Sequence, residues 1–509
     1  MLKAALSPMA RRSPAIRARK AIMDVLIVSV NRVNQPMATT PYGACIVAES
    51  LVRKGYGVHL LDLMFERDPH RALTLALERY SPDIVGVAVR NIDNNNMQHT
   101  AEYYRDVSRI VEIIRKGTSA PVVLGGAAVG VMPEALLRYS GADLAVLRDG
   151  ESVFPRIIES LSDGGSRSDI QNVAWIENGR FHENGDTTSA LESDLIAPDF
   201  HRWLNIKAYQ SAMATIPIQS KRGCPFDCVY CTYGISEGKS CRLHPPDEVA
   251  EAVSRLVADG FRDIEFVDSV FNAPYDHAMA VCERLAQKRC GARLLSMEIN
   301  PRFLDDPLLA IMERAGFAGI GVTAESADDT VLARLGKGYD ASHVQQAAAV
   351  IKNHSLPCMW IFMLGGPGET RSSIARTLHF AKRVLRPKDV AFFNIGIRIY
   401  PGTVLERIAR ESGQLQAVGL DMLKPVFYLS PEVDFEWLLE ELRQTTSMHL
   451  NMLDTAALSH PWLPAINRLA NRLPIRRPLW KHTARIRKII RLFGKDMGTM
   501  PKGRGREHV

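Results

Sequence analysis

The chain lacks any run of apolar residues long enough to cross a bilayer, which excludes a membrane-spanning helix. Its first 22 residues contain no acid and no continuous apolar stretch, so they do not read as a secretory signal. They hold six basic residues (Lys3, Arg11, Arg12, Arg17, Arg19 and Lys20) and read as a basic disordered extension ahead of Met23, with a transit peptide as the other reading. Cysteine is sparse, eight in 509 residues, which is too few for a disulfide scaffold. No second Cys-x-x-Cys pair is present to complete a structural zinc site. Nor is positive charge found where a nucleic-acid surface would need it. The formal net charge is +7, yet residues 468–509 hold thirteen basic residues against Asp496 and Glu507. The two ends supply +17 and leave the body at −10. The high isoelectric point is therefore no argument for nucleic acid, and none is expected as a partner.

What is present is concentrated in Arg222-Gly-Cys-Pro-Phe-Asp-Cys-Val-Tyr-Cys231. The spacing of Cys224, Cys228 and Cys231 lets one tight loop offer three thiolates to a 4Fe–4S cluster, leaving the fourth iron open. An open iron can chelate S-adenosylmethionine, which a reduced cluster can cleave into a radical. Cys45, Cys241, Cys282, Cys290 and Cys358 are scattered and read as free thiols. An open cluster beside free thiols points to a reducing cytoplasm.

Further signals follow the triplet in order. They are Phe266-Val-Asp-Ser-Val-Phe-Asn272, Gly321-Val-Thr-Ala-Glu-Ser326 leading into residues 331–338, Gly365-Gly-Pro-Gly-Glu-Thr370, and Pro401-Gly-Thr403. Each ends a short apolar strand, and helical stretches such as 246–259, 307–315 and 341–353 separate the strands. That alternation argues for a parallel sheet with helices outside and chemistry at the strands' carboxyl ends. Residues 214–413 resemble the radical S-adenosylmethionine superfamily, which implies a partial (β/α)6 TIM barrel. The resemblance implies that Tyr230 packs beside the adenine of S-adenosylmethionine. It sets Asp268 near the methionine portion and Glu325, with Ser326 beside it, on the ribose hydroxyls.

Residues 23–160 read as a separate α/β domain with strands at 24–30, 57–62, 84–89, 122–126 and 144–147, in a Rossmann-like (flavodoxin-like) sheet. Val122-Val-Leu-Gly-Gly126, Met132-Pro-Glu-Ala-Leu-Leu137 and Gly150-Glu151 resemble the cobalamin-binding domain that precedes many such barrels. The resemblance implies that Gly125, Gly126, Gly150 and Glu151 lie against cobalamin. Members of that group that hold cobalt through histidine carry it after the first strand, but residues 31–42 contain none. His70 follows the second strand instead, and Leu73 stands where the motif needs glycine. Bound cobalamin is thus expected without a histidine beneath the metal. Arg90, Asn91 and Asp93 either face the corrin edge or cap the next helix. A domain that binds nothing is the remaining alternative.

Residues 161–213 read as a linker and 414–509 as a small, mostly helical region. Its last helix, about 481–493, puts Ile486, Ile489, Ile490 and Phe493 on one face, to dock on its own protein or to lie on a membrane. The resemblance implies an enzyme: a cobalamin-dependent radical methyltransferase acting on an unactivated carbon, or a phosphinate, of a small molecule or natural-product intermediate. A low-potential flavodoxin or ferredoxin would supply electrons. The alternatives are a radical enzyme that does not methylate and a non-catalytic cobalamin or tetrapyrrole carrier. No catalytic residue beyond the cofactor ligands is legible.

Overall fold

The computed structural model describes residues 23–185, 197–416, 419–460, 462–473, 475–493 and 496–498, so the basic extension lies outside the described residues. The first sheet starts from Asp24–Ser29 (β1), whose Val-Leu-Ile-Val run is buried throughout because helices cover both faces. Gly57–Asp62 (β2), Ile84–Ala88 (β3), Val122–Gly125 (β4) and Leu144–Val146 (β5) complete a parallel set in the order β2-β1-β3-β4-β5. This is the doubly wound order expected, and its ligand crevice lies at the carboxyl ends of β1 and β3.

The segment expected as a linker contributes to this sheet. Val173–Glu177 (β6) and Arg180–Asn184 (β7) form a hairpin that pairs antiparallel with β5. Asn178 and Gly179 turn it, at φ of 51° and 75°, the mirror-image geometry that matches strand twist.

The second sheet is parallel throughout. It runs Ile216–Ile218 (β8), Asp263–Phe266 (β9), Arg293–Ile299 (β10), Phe317–Glu325 (β11), Cys358–Leu364 (β12) and Val390–Ile395 (β13), in sequential spatial order. These six strands with their outer helices form the partial barrel. Along β12, Cys358, Trp360, Phe362 and Leu364 are buried while Met359, Ile361 and Met363 are only half-buried. The buried set faces the helices: Phe380, on the helix Arg371–Val384, meets Trp360 edge-on at 5.9 Å. The half-buried set therefore lines the lumen. The region beyond 414 is not purely helical, because Met452–Asp454 (β14) joins β13 as a seventh parallel strand.

Two buried ion-pair groups clamp the first domain onto the barrel. Asp93, after β3, meets Arg398 at 2.9 Å with both side chains almost fully buried. No helix begins there, since the next starts at Tyr104, so the capping reading of Asp93 gives way to this cross-domain pair. Arg222, two residues before Cys224, is held between Asp149 at 2.8 Å and Glu151, while Arg242 also pairs with Asp149. Removing one partner of a buried pair strands the other charge, at a cost of about 3–5 kcal/mol. Asp93→Ala is accordingly expected to lower the apoprotein's unfolding free energy in urea titration by about that amount, with a lower midpoint, and an unchanged midpoint would show that the pair contributes nothing.

Candidate active site between the two cofactor domains

The three cysteines lie in the loop after β8. Gly223 enters it at φ of 89°, and a side chain there would collide with the Ser240 carbonyl. The Cys224 amide donates to the Gly238 carbonyl at 3.1 Å, the Cys231 amide to Cys228 at 3.1 Å, and the Val229 amide to Leu335 at 3.0 Å. Cys224 is buried and the other two are half-buried, and none is in a disulfide. Burial raises the Cys224 thiol and pushes Cys231 up to about 12. Iron binding at Cys224 and Cys231 would therefore displace protons that burial favours. Among the described residues no three His, Cys, Asp or Glu side chains converge tightly enough to hold a single ion. Three cysteines in one loop fall short of the four ligands of structural zinc and fit a cluster that keeps one iron open.

Glu325 ends β11 at φ of 60°, a strained position for a residue with a side chain, and is 3% exposed. Its Oε1 accepts from the Tyr230 hydroxyl at 2.8 Å and from Lys337 Nζ at 3.1 Å, and Lys337 also donates to Tyr230 at 3.0 Å. Burial alone would lower the Lys337 ammonium, but Glu325 and Tyr230 outweigh it and hold the pKa well above its ordinary value. Glu325 Oε2 has no partner although it is buried. An orphaned carboxylate oxygen fits a pair of incoming hydroxyl donors such as those of a ribose.

Four other residues expected at the cofactors have neighbours within the chain. Asp268 is turned inward, accepting from the Ser220 amide at 2.8 Å, the Ser220 hydroxyl at 2.6 Å and the Lys221 amide at 3.3 Å. It pins the chain entering the cysteine loop. Ser326, fully buried, meets the Thr377 hydroxyl at 3.1 Å and accepts from the Asp328 amide. Glu151 is engaged by Arg222, and Gly150 is small because a side chain there would come within 2.9 Å of Val47. By contrast, Gly125 is half-buried and Gly126 and Ala127 are exposed, a turn almost bare of side chains after β4. Gly126 takes φ of 102°, and a Cβ would come within 2.5 Å of the Val89 carbonyl. That bare turn at the sheet's ligand crevice fits a flat corrin.

Tyr233, Glu265 and Glu298, which sequence reasoning passed over, gather with Arg90 where the two domains meet. Tyr233 is 39% exposed, yet burial is the largest cause raising its phenol, followed by Glu298 and Glu237. Arg90 is likewise accessible while burial lowers its guanidinium, offset by Tyr233, Glu265 and Tyr103. A side chain that is accessible and desolvated at once faces an internal space. Glu265 on β9 and Glu298 on β10 each stand next to a buried apolar residue of their strand, and both are half-buried on the lumen side. Burial, then Glu325, pushes Glu298 up to about 8, and burial also raises Glu265, whose carboxylate accepts from the Thr215 hydroxyl at 2.6 Å. A carboxyl next to an apolar residue of a strand was the signal available for both.

The comparisons agree with this geometry. Residues 28–158 match the B12 binding domain family and residues 218–381 match the Radical SAM superfamily. An uncharacterized methyltransferase of Pyrococcus horikoshii is 26% identical over 75% of this chain and 82% of its own length. The tryptophan 2-C-methyltransferase of Streptomyces laurentii is 21% identical over 74% and 73%. The radical S-adenosylmethionine methyltransferase TsrM from Kitasatospora setae, solved with cobalamin and a 4Fe–4S cluster, superposes with a TM-score of 0.81. It shares 20% identity and covers 92% of this chain and 99% of its own, so it shows the fold. The chain is a radical S-adenosylmethionine enzyme with an N-terminal B12-binding domain, and its cofactors are a 4Fe–4S cluster, S-adenosylmethionine and cobalamin.

The free Glu325 oxygen generates a direct test. Charge-assisted hydrogen bonds to a carboxylate are worth about 1.5–3 kcal/mol. Glu325→Gln is expected to weaken S-adenosylmethionine binding about tenfold or more in equilibrium dialysis, with iron content unchanged. Unaltered affinity would assign the ribose contact elsewhere.

Proposed function

We propose that this protein is a cobalamin-dependent radical S-adenosylmethionine methyltransferase acting on an unactivated carbon, or a phosphinate, of a small molecule or natural-product intermediate. The observation that carries the reading is the shared chamber. Arg90 and Tyr103 reach it from the B12-binding domain, and Tyr233, Glu265, Glu298 and Glu325 reach it from the barrel. A methyl carrier and a radical source need one substrate between them, and a chamber walled by both domains provides that place. The names of the Pyrococcus and Streptomyces relatives support methyl transfer as the reaction.

In this reading Cys224, Cys228 and Cys231 hold the cluster, and the open iron is left for S-adenosylmethionine. Glu325 Oε2 takes the ribose hydroxyls, while Lys337 and the Tyr230 hydroxyl fix Oε1 so that the carboxylate cannot rotate. Tyr230 then presents its ring toward the adenine. The Gly125–Gly126 turn gives the corrin bare backbone, and residues 31–42 offer no histidine beneath it. Bound together, the three cofactors supply one-electron reductive cleavage of S-adenosylmethionine and a methyl group for transfer. The chain's own contribution is enclosure. Arg90 and the carboxyls of Glu265 and Glu298 provide hydrogen-bonding groups of both kinds around a substrate, in a space desolvated enough to raise Glu298 to about 8. A small electron donor of the flavodoxin or ferredoxin type would reduce the cluster, and the five remaining cysteines, none in a disulfide, suit a reducing cytoplasm.

Methyl-labelled S-adenosylmethionine tests the reading without a known substrate. Anaerobically reconstituted, reduced enzyme is expected to move the label into the corrin fraction on chromatography. Release of 5′-deoxyadenosine with no label in that fraction would instead favour a radical enzyme that does not methylate.

A further inference from the structure

The last helix, Thr483–Leu492, is attached by the opposite of what its apolar residues suggest. Its buried anchor is Arg487, 2% exposed, which donates to the Thr446 and Met452 carbonyls at 2.9 Å each and pairs with Asp496 at 2.8 Å. Ile486 and Ile490 are partly covered. Ile489, Leu492 and Phe493 stand out at 58%, 80% and 77% exposure. Positions 485, 488, 489 and 492 share one helical face, so Arg485 and Lys488, both exposed, lie among the apolar tips. Arg491 donates to the Ser447 carbonyl at 2.7 Å, which brings Met448, 67% exposed, beside the same face.

The concentration is not a general property of the surface. Among the described residues six large apolar side chains are more than half exposed: Leu75, Met448, Leu469, Ile489, Leu492 and Phe493. Only Leu75 lies outside the C-terminal region. That region is also where the basic excess sits, in a chain whose body is acidic.

We infer that this face, formed by Ile489, Leu492, Phe493 and Met448 with Arg485 and Lys488, docks the enzyme on an anionic lipid surface. Protruding apolar tips enter a fluid interface without needing a matching pocket, and cations among them gain from anionic headgroups. A second copy fits less well, because pairing the face with itself would bring its cations together. No described helix is long and apolar enough to cross a membrane, so the contact is a surface one.

The test uses full-length holoenzyme and sedimentation with vesicles of phosphatidylcholine, with or without phosphatidylglycerol. Wild type is expected to pellet with the phosphatidylglycerol vesicles, less so as salt rises, and to stay in solution with phosphatidylcholine alone. The double variant L492E/F493E should lose partitioning about tenfold or more while keeping iron, corrin and circular dichroism unchanged. Failure of wild type to bind the anionic vesicles, or equal binding by the variant, overturns the inference. So does a wild-type dimer in size-exclusion chromatography that L492E/F493E converts to monomer, which would make the face an interface between copies.

Discussion

The arrangement of this protein depends on one buried guanidinium. Arg222 stands two residues before Cys224 and is held by Asp149 and Glu151, which open the helix Gly150–Asp163 of the other domain. Burial would lower its pKa, but the two carboxylates outweigh that and keep it charged. Burial would likewise raise Asp149, and Arg222 with Arg242 reverses the direction. Charges taken this far from water are tolerated only when fully paired, so neither domain can slide without exposing an unpaired ion. The cysteine loop and the crevice of the first sheet are thereby fixed against each other. Asp93 and Arg398 repeat the device at the other end of the barrel.

Fixing two domains at their edges leaves space between them, and the chemistry follows from what lines that space. Alternation along the barrel strands sends aromatic and branched residues to the helices and Glu265, Glu298 and Met363 to the lumen. Burial, then Glu325, raises Glu298 to about 8, so it holds its proton near neutral pH and can donate a hydrogen bond. Arg90 faces them from the other domain. The chamber thus offers a cation, a neutral acid and a phenol, enough to orient a polar molecule.

Local patterns were legible in the sequence and long-range pairings were not. The five parallel strands of the first sheet and four of the barrel's six could be read from apolar runs and turn residues, because such strands are buried on both faces. The cysteine triplet stands out by its spacing within one loop, and Glu325 was picked out by resemblance at a strand end. Asp268, Ser326 and Glu151 look the same in sequence, yet their oxygens are engaged by Ser220, Thr377 and Arg222, between 48 and 71 residues away. Nothing local distinguishes a carboxylate aimed at a ligand from one aimed at a distant arginine. The hairpin within 161–213 was a different kind of miss. Asn178-Gly179 between Val-Ala-Trp-Ile-Glu and Arg-Phe-His-Glu-Asn is a two-residue turn signal that could have found it.

The central claim is that the cluster and cobalamin face one chamber. Pulsed electron paramagnetic resonance of the cob(II)alamin form reads this most directly, because a nearby paramagnetic cluster speeds the relaxation of the cobalt spin. The account predicts faster cobalt relaxation in reduced holoenzyme than in a variant with Cys224, Cys228 and Cys231 replaced by alanine. Identical relaxation in the two, with cluster and corrin both loaded in the wild type, would contradict it.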